Sequence, residues 1–435
     1  MPASAQSATR WLADAVRSGP AAAAHTPSPV PLSAPDSSPA PPDAVLSDPA
    51  ALGASAADPH ARFPAGFAQL VVRRAYDEGR QELFGVAGDG GEIELPYTVT
   101  PTQVRPTDIG LANVRGDGEY PSEIFLAIYR WSRNQRRLVA WINDLRARYR
   151  DDLQFVIWDD TDYDIPWELL WLDEDRGRGL AAGCLGALVD VARWTTIREL
   201  SGSLLAQPSE CSGGVIGYFD DTMWVDTLAF GPFIYRPHRQ MGGFLEELEQ
   251  TGFRAGLVYM GCHGQYGSSV YRLKLDKVTW GELDVCDMAA LQGWRALVCL
   301  NACHSGRLVS NTGGGEDALR GFAELFLRKG AQGCIASAGK VGDDEAHLLI
   351  TRLVQTVATA SRHSVAAALR AFRAQAIAEL PATLPKVPRT TNDDGSVNKE
   401  GQKQVLRFLY SFMFLYYGHP QTTLKLSLQA ADDMP

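Results

Sequence analysis

The chain has 435 residues, of which 45 % are hydrophobic and 21 % charged, which is ordinary for a soluble protein of one large or two medium domains. Its formal net charge of -10 at pH 7 excludes the clustered basic excess of a nucleic-acid-binding protein. No apolar run reaches the roughly 18 residues that cross a bilayer, and no charged and then apolar leader opens the chain. We therefore expect no nucleic-acid partner, no membrane association and no signal peptide.

The cysteines give a first indication of compartment. There are 7 of them, an odd number spread thinly over a long chain, whereas a secreted disulfide framework is denser and shorter. No CxxC pair is present, so the pattern of a zinc ribbon is absent. We expect a reduced, cytoplasmic protein with mostly buried thiols, and neither a cofactor nor a metal.

Residues 1–60 are rich in Ala, Pro and Ser and should be disordered, because they offer too little apolar surface to offset their ordering entropy. Residues 61–119 form a small β-rich region with Gly turns. The segment from Pro121 to Asp152 has apolar residues every three or four positions, which predicts one long amphipathic helix. The strands "LQFVIW" and "LGALVDVARWTTI" follow.

Beyond residue 208 one theme repeats, namely a short apolar strand, a polar tip and a helix. The predicted strands are 214–219, 255–260, 295–300 and 333–337. The predicted helices are 239–250, 283–292, 317–329, 343–359 and 363–379. Continuous apolar strands that alternate with helices predict an α/β fold with a mostly parallel central sheet and helices on both faces. A last strand within 408–418 closes the fold, and 421–435 is a tail.

Two of these strands end on residues that can do chemistry. "LVYMGCHGQYG" ends in His263 and Gly264, and "ALVCLNACHSG" ends in Cys303. Ligands of α/β sheets bind outside the carboxyl ends of the strands, so neighbouring strands would place both side chains in one crevice. A general base beside a thiol is what acyl transfer through a thioester requires. The N–H groups of Gly264 and Cys303 could together form an oxyanion hole.

Other interpretations of these residues stay open at this point. A single Cys after an apolar strand is commonly a small buried hydrophobe, and a single His is commonly a hydrogen-bonded loop residue. Cys262 and Cys299 should point into the core. A metal cluster of Cys262, His263, Cys303 and His304 would match no familiar zinc spacing. The joint appearance of His263 and Cys303 at equivalent strand ends favours catalysis.

These motifs carry a resemblance. "MGCHGQ" and "LVCLNACHSG" resemble the His-Gly and Asn-Ala-Cys-x-Ser motifs of the CHAT family of caspase-like cysteine peptidases. "IPWELLW", "YRLKLDKVTWGEL" and "FMFLYYGHP" resemble further family elements in matching order, so that the resemblance covers residues 120–420. The stretch "SAGKVGDDEA" departs from the family, which often has a Trp before its Asp.

The resemblance implies a caspase-haemoglobinase-like fold and a metal-free cysteine endopeptidase. It implies that His263 is the general acid and base, that Cys303 is the nucleophile, and that Gly264 contributes an oxyanion N–H. Prokaryotic relatives often serve in defence systems, where a sensor protein releases the peptidase onto one protein substrate. It thus implies two protein partners, an activating sensor and a substrate.

Acidic and amide side chains near the strand ends suggest a substrate pocket. Asp220 and Asp221 follow the strand 214–219, and Asn301 precedes Cys303. Carboxylates there would favour cleavage after Arg or Lys, although a solvated turn is an equally good interpretation. Asp343 and Asp344 are further acids that could instead cap a helix. Two alternative functions remain, a catalytically silent caspase-fold interaction module and a thiol hydrolase of small molecules.

Overall fold

A computed structural model describes residues 65–75, 79–87, 103–106, 109–114, 121–197, 208–311, 319–359, 364–380 and 387–429. The segment 1–60, for which we predict disorder, lies outside these ranges. Within the described part of the chain, no helix combines the length and the apolar character that a bilayer span needs.

The first part of the chain supplies one edge of a large sheet together with the helices that cover it. Its strands are β1 Phe67–Arg74, β2 Arg80–Ala87, β3 Gln103–Val104, β4 Gln154–Asp159, β5 Trp171–Leu172, β6 Gly183–Cys184 and β7 Asp190–Trp194. Its helices are α1 Pro121–Asn134, α2 Arg136–Tyr149 and α3 Leu185–Leu188, with 3-10 turns at Leu111–Asn113, Arg150–Asp152 and Trp167–Leu169.

The second part alternates strands and helices as its sequence predicts. Its strands are β8 Glu210–Phe219, β9 Tyr235–His238, β10 Ala255–Gly261, β11 Gly264–Gln265, β12 Lys274–Leu275, β13 Val278–Thr279, β14 Leu297–Asn301, β15 Val309–Ser310, β16 Leu319–Arg320, β17 Gly333–Ser337, β18 Phe414–Gly418 and β19 Thr423–Leu426. Its helices are α4 Thr227–Phe230, α5 Met241–Leu248, α6 Trp280–Val285, α7 Ala289–Trp294, α8 Phe322–Arg328, α9 Asp343–Thr359, α10 Val365–Glu379 and α11 Lys399–Ser411, with 3-10 turns at Trp224–Asp226 and Val270–Arg272.

The main sheet consists of two halves, and the parallel strands β1, β4, β7 and β18 of one half run opposite to the strands of the other. The order is β19-β8-β10-β14-β17-β18-β7-β4-β1-β2-β3, with β9 also on β8. We call β8, β9, β10, β14, β17 and β19 the second half-sheet, and its pairs are all parallel. We call β1, β2, β3, β4, β7 and β18 the first half-sheet, in which β1, β4, β7 and β18 are mutually parallel. The seam between β17 and β18 is antiparallel.

Alternate residues of the strands bury opposite faces of the sheet. In β10, Val258 and Met260 pack into one hydrophobic cluster, while Leu257 and Tyr259 pack into another. The period of two follows from strand geometry, and burial on both faces explains why the strand reads as a continuous apolar run. The predicted α/β class, with a mostly parallel sheet and helices on both faces, is therefore confirmed.

Helix starts in the second part follow local capping chemistry. Thr279 and Glu282 form a capping box at α6, in which each side chain accepts a hydrogen bond from the backbone N–H of the other residue. Ser364 caps α10 and Asn398 caps α11 through side-chain oxygens. These caps fix the helix starts, and α9 spans 343–359 as the apolar spacing predicts.

Several predicted boundaries differ from the structure. The single helix predicted over 121–152 is two helices, because the chain turns at Gln135, whose N–H bonds the carbonyl of Ser132. The helix predicted over 283–292 is interrupted at Cys286, which is extended. The strand predicted within 408–418 begins only at Phe414, since the preceding residues complete α11.

Two regions that we predict to be peripheral contribute to the main sheet. Strand β1, from the region 61–119, pairs in parallel with β4. Ala68 and Leu70 of β1 share one core with residues of α1 and α2, so the boundary at 119/120 does not separate two cores. The predicted tail 421–435 is corrected in part, because β19 adds an edge strand beside β8.

Candidate active site

Four strands of the second half-sheet end at the same edge. The end of β10 is flanked on one side by β14, with Gly261 opposite Asn301, and on the other by β8, with Phe219 opposite Gly261. Strand β17 lies beyond β14. The carboxyl ends of parallel strands meet at one edge of the sheet, so the loops after β8, β10, β14 and β17 converge. His263 and Cys303, which follow adjacent strands, are thus brought together.

Gly264 stands directly against the backbone of Cys303. A Cβ atom added to Gly264 would lie 1.8 Å from the carbonyl oxygen of Cys303 and 3.0 Å from its nitrogen, so only glycine fits. The N–H of Asp276 donates to the carbonyl of His263, which makes Gly264 and Leu275 a non-hydrogen-bonded pair of the β11–β12 ladder. In such a pair the backbone N–H points away from the partner strand, so that of Gly264 is not used by β12.

His263 and Asp220 face each other across the ends of β10 and β8. The imidazole Nε2 lies 3.9 Å from Oδ2 of Asp220, and the two side chains are 68 % and 12 % exposed. The other carboxylate oxygen, Oδ1, accepts hydrogen bonds from the N–H and hydroxyl of Thr222 and from the N–H of Met223. Oδ2 of Asp220 is buried and has no hydrogen-bond partner among the described residues. One oxygen therefore fixes the carboxylate, and the other is available to the imidazole.

The thiol of Cys303 is half-buried and stays protonated at neutral pH. Its Sγ lies 3.9 Å from the carbonyl oxygen of Val341, in the loop after β17. Burial raises the pKa of the thiol and the carboxylate of Asp343 adds to this, while the backbone contact with Val341 and the charge of Lys340 lower it. A neutral thiol is a poor nucleophile, so attack on a carbonyl requires a base at hand.

The turn after Cys303 is held in an uncommon backbone conformation. His304 has a φ of 60°, in the left-handed region that residues other than glycine seldom adopt. Its N–H donates to the carbonyl of Gly339, and the hydroxyl of the fully buried Ser305 accepts from the N–H of Ser337. Burial, with the charges of Arg307 and Lys340, lowers the pKa of His304 to about 4. These bonds to the loop after β17 position Cys303, and His304 is a neutral imidazole at neutral pH.

The predicted substrate-binding residues occupy different environments. Asp221 is exposed next to Asp220. Asn301 is buried, and its amide nitrogen lies within hydrogen-bonding distance of the hydroxyl of Tyr259 and of the carbonyl of Ala346. The structure therefore gives Asn301 internal partners in place of the substrate contact that the sequence predicts. Asp343 begins helix α9 and is exposed.

The other cysteines lie away from the Cys303 thiol's environment or in the core. Cys262 lies in the core with Met260 and Leu275, and burial raises the pKa of its thiol well above the ordinary value. All seven cysteines are free. In the described ranges, no group of three or more His, Cys, Asp or Glu side chains is placed to hold a metal ion.

Sequence reasoning missed the contribution of the loop after β17. Lys340 and Val341 both contact the environment of the Cys303 thiol, Lys340 through its charge and Val341 through its backbone. The signal was present in the sequence, because "GCIASAGK" is again an apolar strand that ends in a Gly-flanked polar tip. The sequence reasoning applied that pattern to His263 and Cys303 but not to this third tip.

The strand order and these converging loops define the class, an α/β fold with a cysteine at the edge where parallel strands of the sheet end. Residues 239–388 match the family model of the CHAT domain. This match confirms the predicted family and supports the predicted class, a cysteine-type peptidase. No curated protein matches the chain.

Solved structures that are similar to parts of this chain include a separase complex and two gingipain structures. The separase–securin complex of Saccharomyces cerevisiae shares 13 % identity at a TM-score of 0.35, over 65 % of this chain and 17 % of that chain. The Arg-specific cysteine proteinase gingipain R shares 10 % identity at 0.41, over 68 % of this chain and 70 % of that chain. The complex of Porphyromonas gingivalis RgpB pro- and mature domains shares 10 % at 0.43, over 75 % and 77 %. The chain thus spans only a small part of the separase chain.

Proposed function

We propose that this protein is a cysteine endopeptidase in which Cys303 is the nucleophile and His263 the general acid and base. One observation carries the proposal, namely the apposition of Gly264 and the Cys303 backbone at the ends of adjacent parallel strands. That apposition brings the residue after the imidazole into contact with the nucleophile, and it supports an oxyanion hole made of the two N–H groups.

The reaction follows from the charge states. The thiol is neutral at rest, so His263 takes its proton as the sulfur attacks the peptide carbonyl carbon. The resulting oxyanion is stabilised by the N–H groups of Gly264 and Cys303. The carbon–nitrogen bond then breaks, His263 gives its proton to the departing amine, and a thioester remains. Water, deprotonated by His263, attacks the thioester, which releases the acid product and restores the thiol.

In this proposal Asp220 orients the base. The free Oδ2 of its carboxylate faces Nε2 of His263 and can pair with the imidazolium that forms during attack. A distance of 3.9 Å is long for a hydrogen bond, but catalytic contacts commonly tighten only when substrate binds. Asp220 is fixed by its turn, so the imidazole is the group that moves.

We further propose that cleavage follows a basic residue. The crevice carries exposed carboxylates at Asp221 and Asp343, and Asp343 acts electrostatically on the Cys303 thiol. Lys340 is the basic group that acts on the same thiol. An excess of carboxylates favours an Arg or Lys side chain in the substrate. The natural target would be one protein, onto which a sensor releases the peptidase in a prokaryotic defence system, and this context rests on the resemblance alone.

The test is labelling and cleavage by the purified full-length chain. A peptidyl chloromethyl ketone with Arg before the electrophile should label Cys303 alone, and a peptide library should be cut after Arg or Lys. The Cys303→Ala variant should do neither. Labelling without cleavage of any peptide would favour a thiol hydrolase of small molecules. Neither labelling nor cleavage would favour a silent interaction module.

A further inference from the structure

A buried carboxylate lies beneath the proposed site and has no role in the chemistry described above. Asp226 ends the 3-10 turn after β8, and its side chain is only 1 % exposed. Its Oδ2 accepts from the hydroxyl of Tyr259 and, at 3.4 Å, lies near the amide nitrogen of Asn301. Its Oδ1 bonds Nδ1 of His347. Three polar side chains from three different elements therefore converge on one carboxylate.

Each of these partners belongs to an element that ends at the catalytic crevice. Asn301 is the last residue of β14, two positions before Cys303. Tyr259 lies on β10, which leads to His263. His347 lies in the first turns of α9, directly after the loop whose Val341 carbonyl faces the thiol. Asp226 itself follows Asp220 within the loop after β8. One carboxylate thus joins all four strand-end loops of the site.

A buried carboxylate is tolerated only where hydrogen bonds and charge compensate its lost hydration. Burial raises the pKa of Asp226, and the hydrogen bonds of Tyr259, His347 and Asn301 lower it. The amide nitrogen of Asn301 also lies 3.2 Å from the carbonyl of Ala346 in α9. The cluster therefore ties α9 to β14 twice, once through Asp226 and once directly.

We propose that Asp226 is a positioning residue for the dyad, acting through Asn301 and His347. It holds β14 and the start of α9 in a single arrangement, so that the Cys303 thiol, the Val341 carbonyl and the Asp220–His263 pair stand in register. Asp226 touches neither substrate nor reacting atoms. The inference rests on the proposed function, because it assigns positioning for that reaction.

The test compares variants of full-length protein by two measurements. The first is kcat and KM on an Arg-containing peptide, and the second is the rate at which iodoacetamide alkylates Cys303, which needs no substrate. Asp226→Asn keeps the shape but loses the charge, and it should lower kcat about 10- to 100-fold with KM within about threefold. The alkylation rate and its pH midpoint should change as well. Asp159→Asn, a buried acid of the first half-sheet, is the matched control and should leave both measurements unchanged.

His347 supplies a second, milder pair of variants, since its side chain is 25 % exposed. His347→Asn retains a donor at the place of Nδ1 and should keep most of kcat, whereas His347→Ala should lose it about as Asp226→Asn does. If Asp226→Asn does not fold, this pair alone decides the question. Equal kcat in His347→Asn, His347→Ala and wild type, or unchanged kcat in Asp226→Asn, would overturn the positioning role. Activity retained in Cys303→Ala would instead overturn the proposed function itself.

Discussion

The two half-sheets contain the same Asp-Asp-Thr turn, but the first Asp of the turn has different partners in each. Strand β4 ends at Asp159 before Asp160 and Thr161, and strand β8 is followed by Asp220, Asp221 and Thr222. In both turns Oδ1 of the first Asp accepts the N–H of the Thr at 2.9 Å and also its hydroxyl. The Asp-Asp-Thr sequence explains this local geometry, because an Asp side chain readily bonds the backbone two residues on.

The difference lies in the second carboxylate oxygen. Oδ2 of Asp159 accepts the indole N–H of Trp167 at 2.9 Å, so the carboxylate is satisfied within the core. Oδ2 of Asp220 has no hydrogen-bond partner in the described residues and faces His263. The turn alone therefore does not determine the role of its first Asp. The group that faces the second carboxylate oxygen decides whether that Asp stabilises the fold or takes part in the chemistry.

Strand direction places the carboxyl ends of the two half-sheets at opposite edges of the main sheet. Because β17 and β18 are antiparallel, the carboxyl ends of β4 and β7 lie at the opposite edge from those of β10 and β14. The loop after β4 nevertheless reaches the turn after Cys303, because Asp164 pairs with Arg307 and Asp159 lines the same cavity as Gly306 and Arg307. The antiparallel pair β17–β18 therefore separates two sets of strand ends, which lie at opposite edges of one sheet.

The largest expected effect concerns the dyad at that reactive edge. Cys303→Ala and His263→Ala should each lower peptidase kcat by about 10³-fold or more, because one removes the nucleophile and the other its base. Neither should move the thermal midpoint by more than a few degrees, since His263 is exposed and Cys303 is half-buried. Peptide hydrolysis and melting curves of the purified variants provide the measurement. A variant that retains a tenth of the activity would refute its assigned role.

The second prediction compares the two turns by removing the charge of the first Asp in each. Asp220→Asn keeps the Oδ1 acceptor but removes the charge beside His263, so kcat should fall about 10- to 100-fold with the stability nearly unchanged. Asp159→Asn should leave kcat unchanged. It should cost about 1–3 kcal/mol of unfolding free energy, because the indole N–H of Trp167 then meets an amide NH₂ in place of an acceptor. Steady-state kinetics and urea unfolding separate the two effects.

Equal losses of kcat in Asp220→Asn and Asp159→Asn would contradict the proposed difference between the two turns. They would mean that Asp220 matters only for the fold, as Asp159 does. Asp220→Glu offers an additional check, because it restores the charge at a displaced position and should recover part of kcat if orientation of His263 is the role.

The third prediction concerns the pH at which Cys303 becomes a thiolate. Its pKa is raised, chiefly by burial and also by Asp343, so iodoacetamide alkylation should rise with pH to a midpoint above that of an ordinary cysteine. Asp343→Asn removes a charge that disfavours the thiolate and should move the midpoint to lower pH. Lys340→Gln removes a charge that favours it and should move the midpoint to higher pH. Shifts of the same sign in both variants would contradict the electrostatic assignment.

The fold and the site differ in how far the sequence predicts them. Strands β10 and β17 are predicted to within a residue, because continuous apolar runs end at Gly-flanked polar tips. Two-residue strands such as β15 and β16 have no such signal, since they exist only through tertiary pairing. His263 and Cys303 could be predicted, because each lies in a polar segment directly after an apolar strand. The environments of Asp220 and Asp226 could not be predicted, because they depend on partners such as His347 that are distant in the chain.

The smallest expected effect concerns Cys262, the thiol nearest the dyad in sequence. It is buried against Met260 and Leu275, and burial raises its pKa well above the ordinary value, so it is neither accessible nor ionised. Cys262→Ala should keep kcat within about twofold and cost about 1 kcal/mol of stability, roughly the value of one buried methylene-sized group. Mass spectrometry after brief iodoacetamide treatment of the folded protein should find Cys303 modified and Cys262 unmodified. An inactive Cys262→Ala beside an active Cys303→Ala would exchange the two assignments, and with them the claim that the reactive thiol is the one against Gly264.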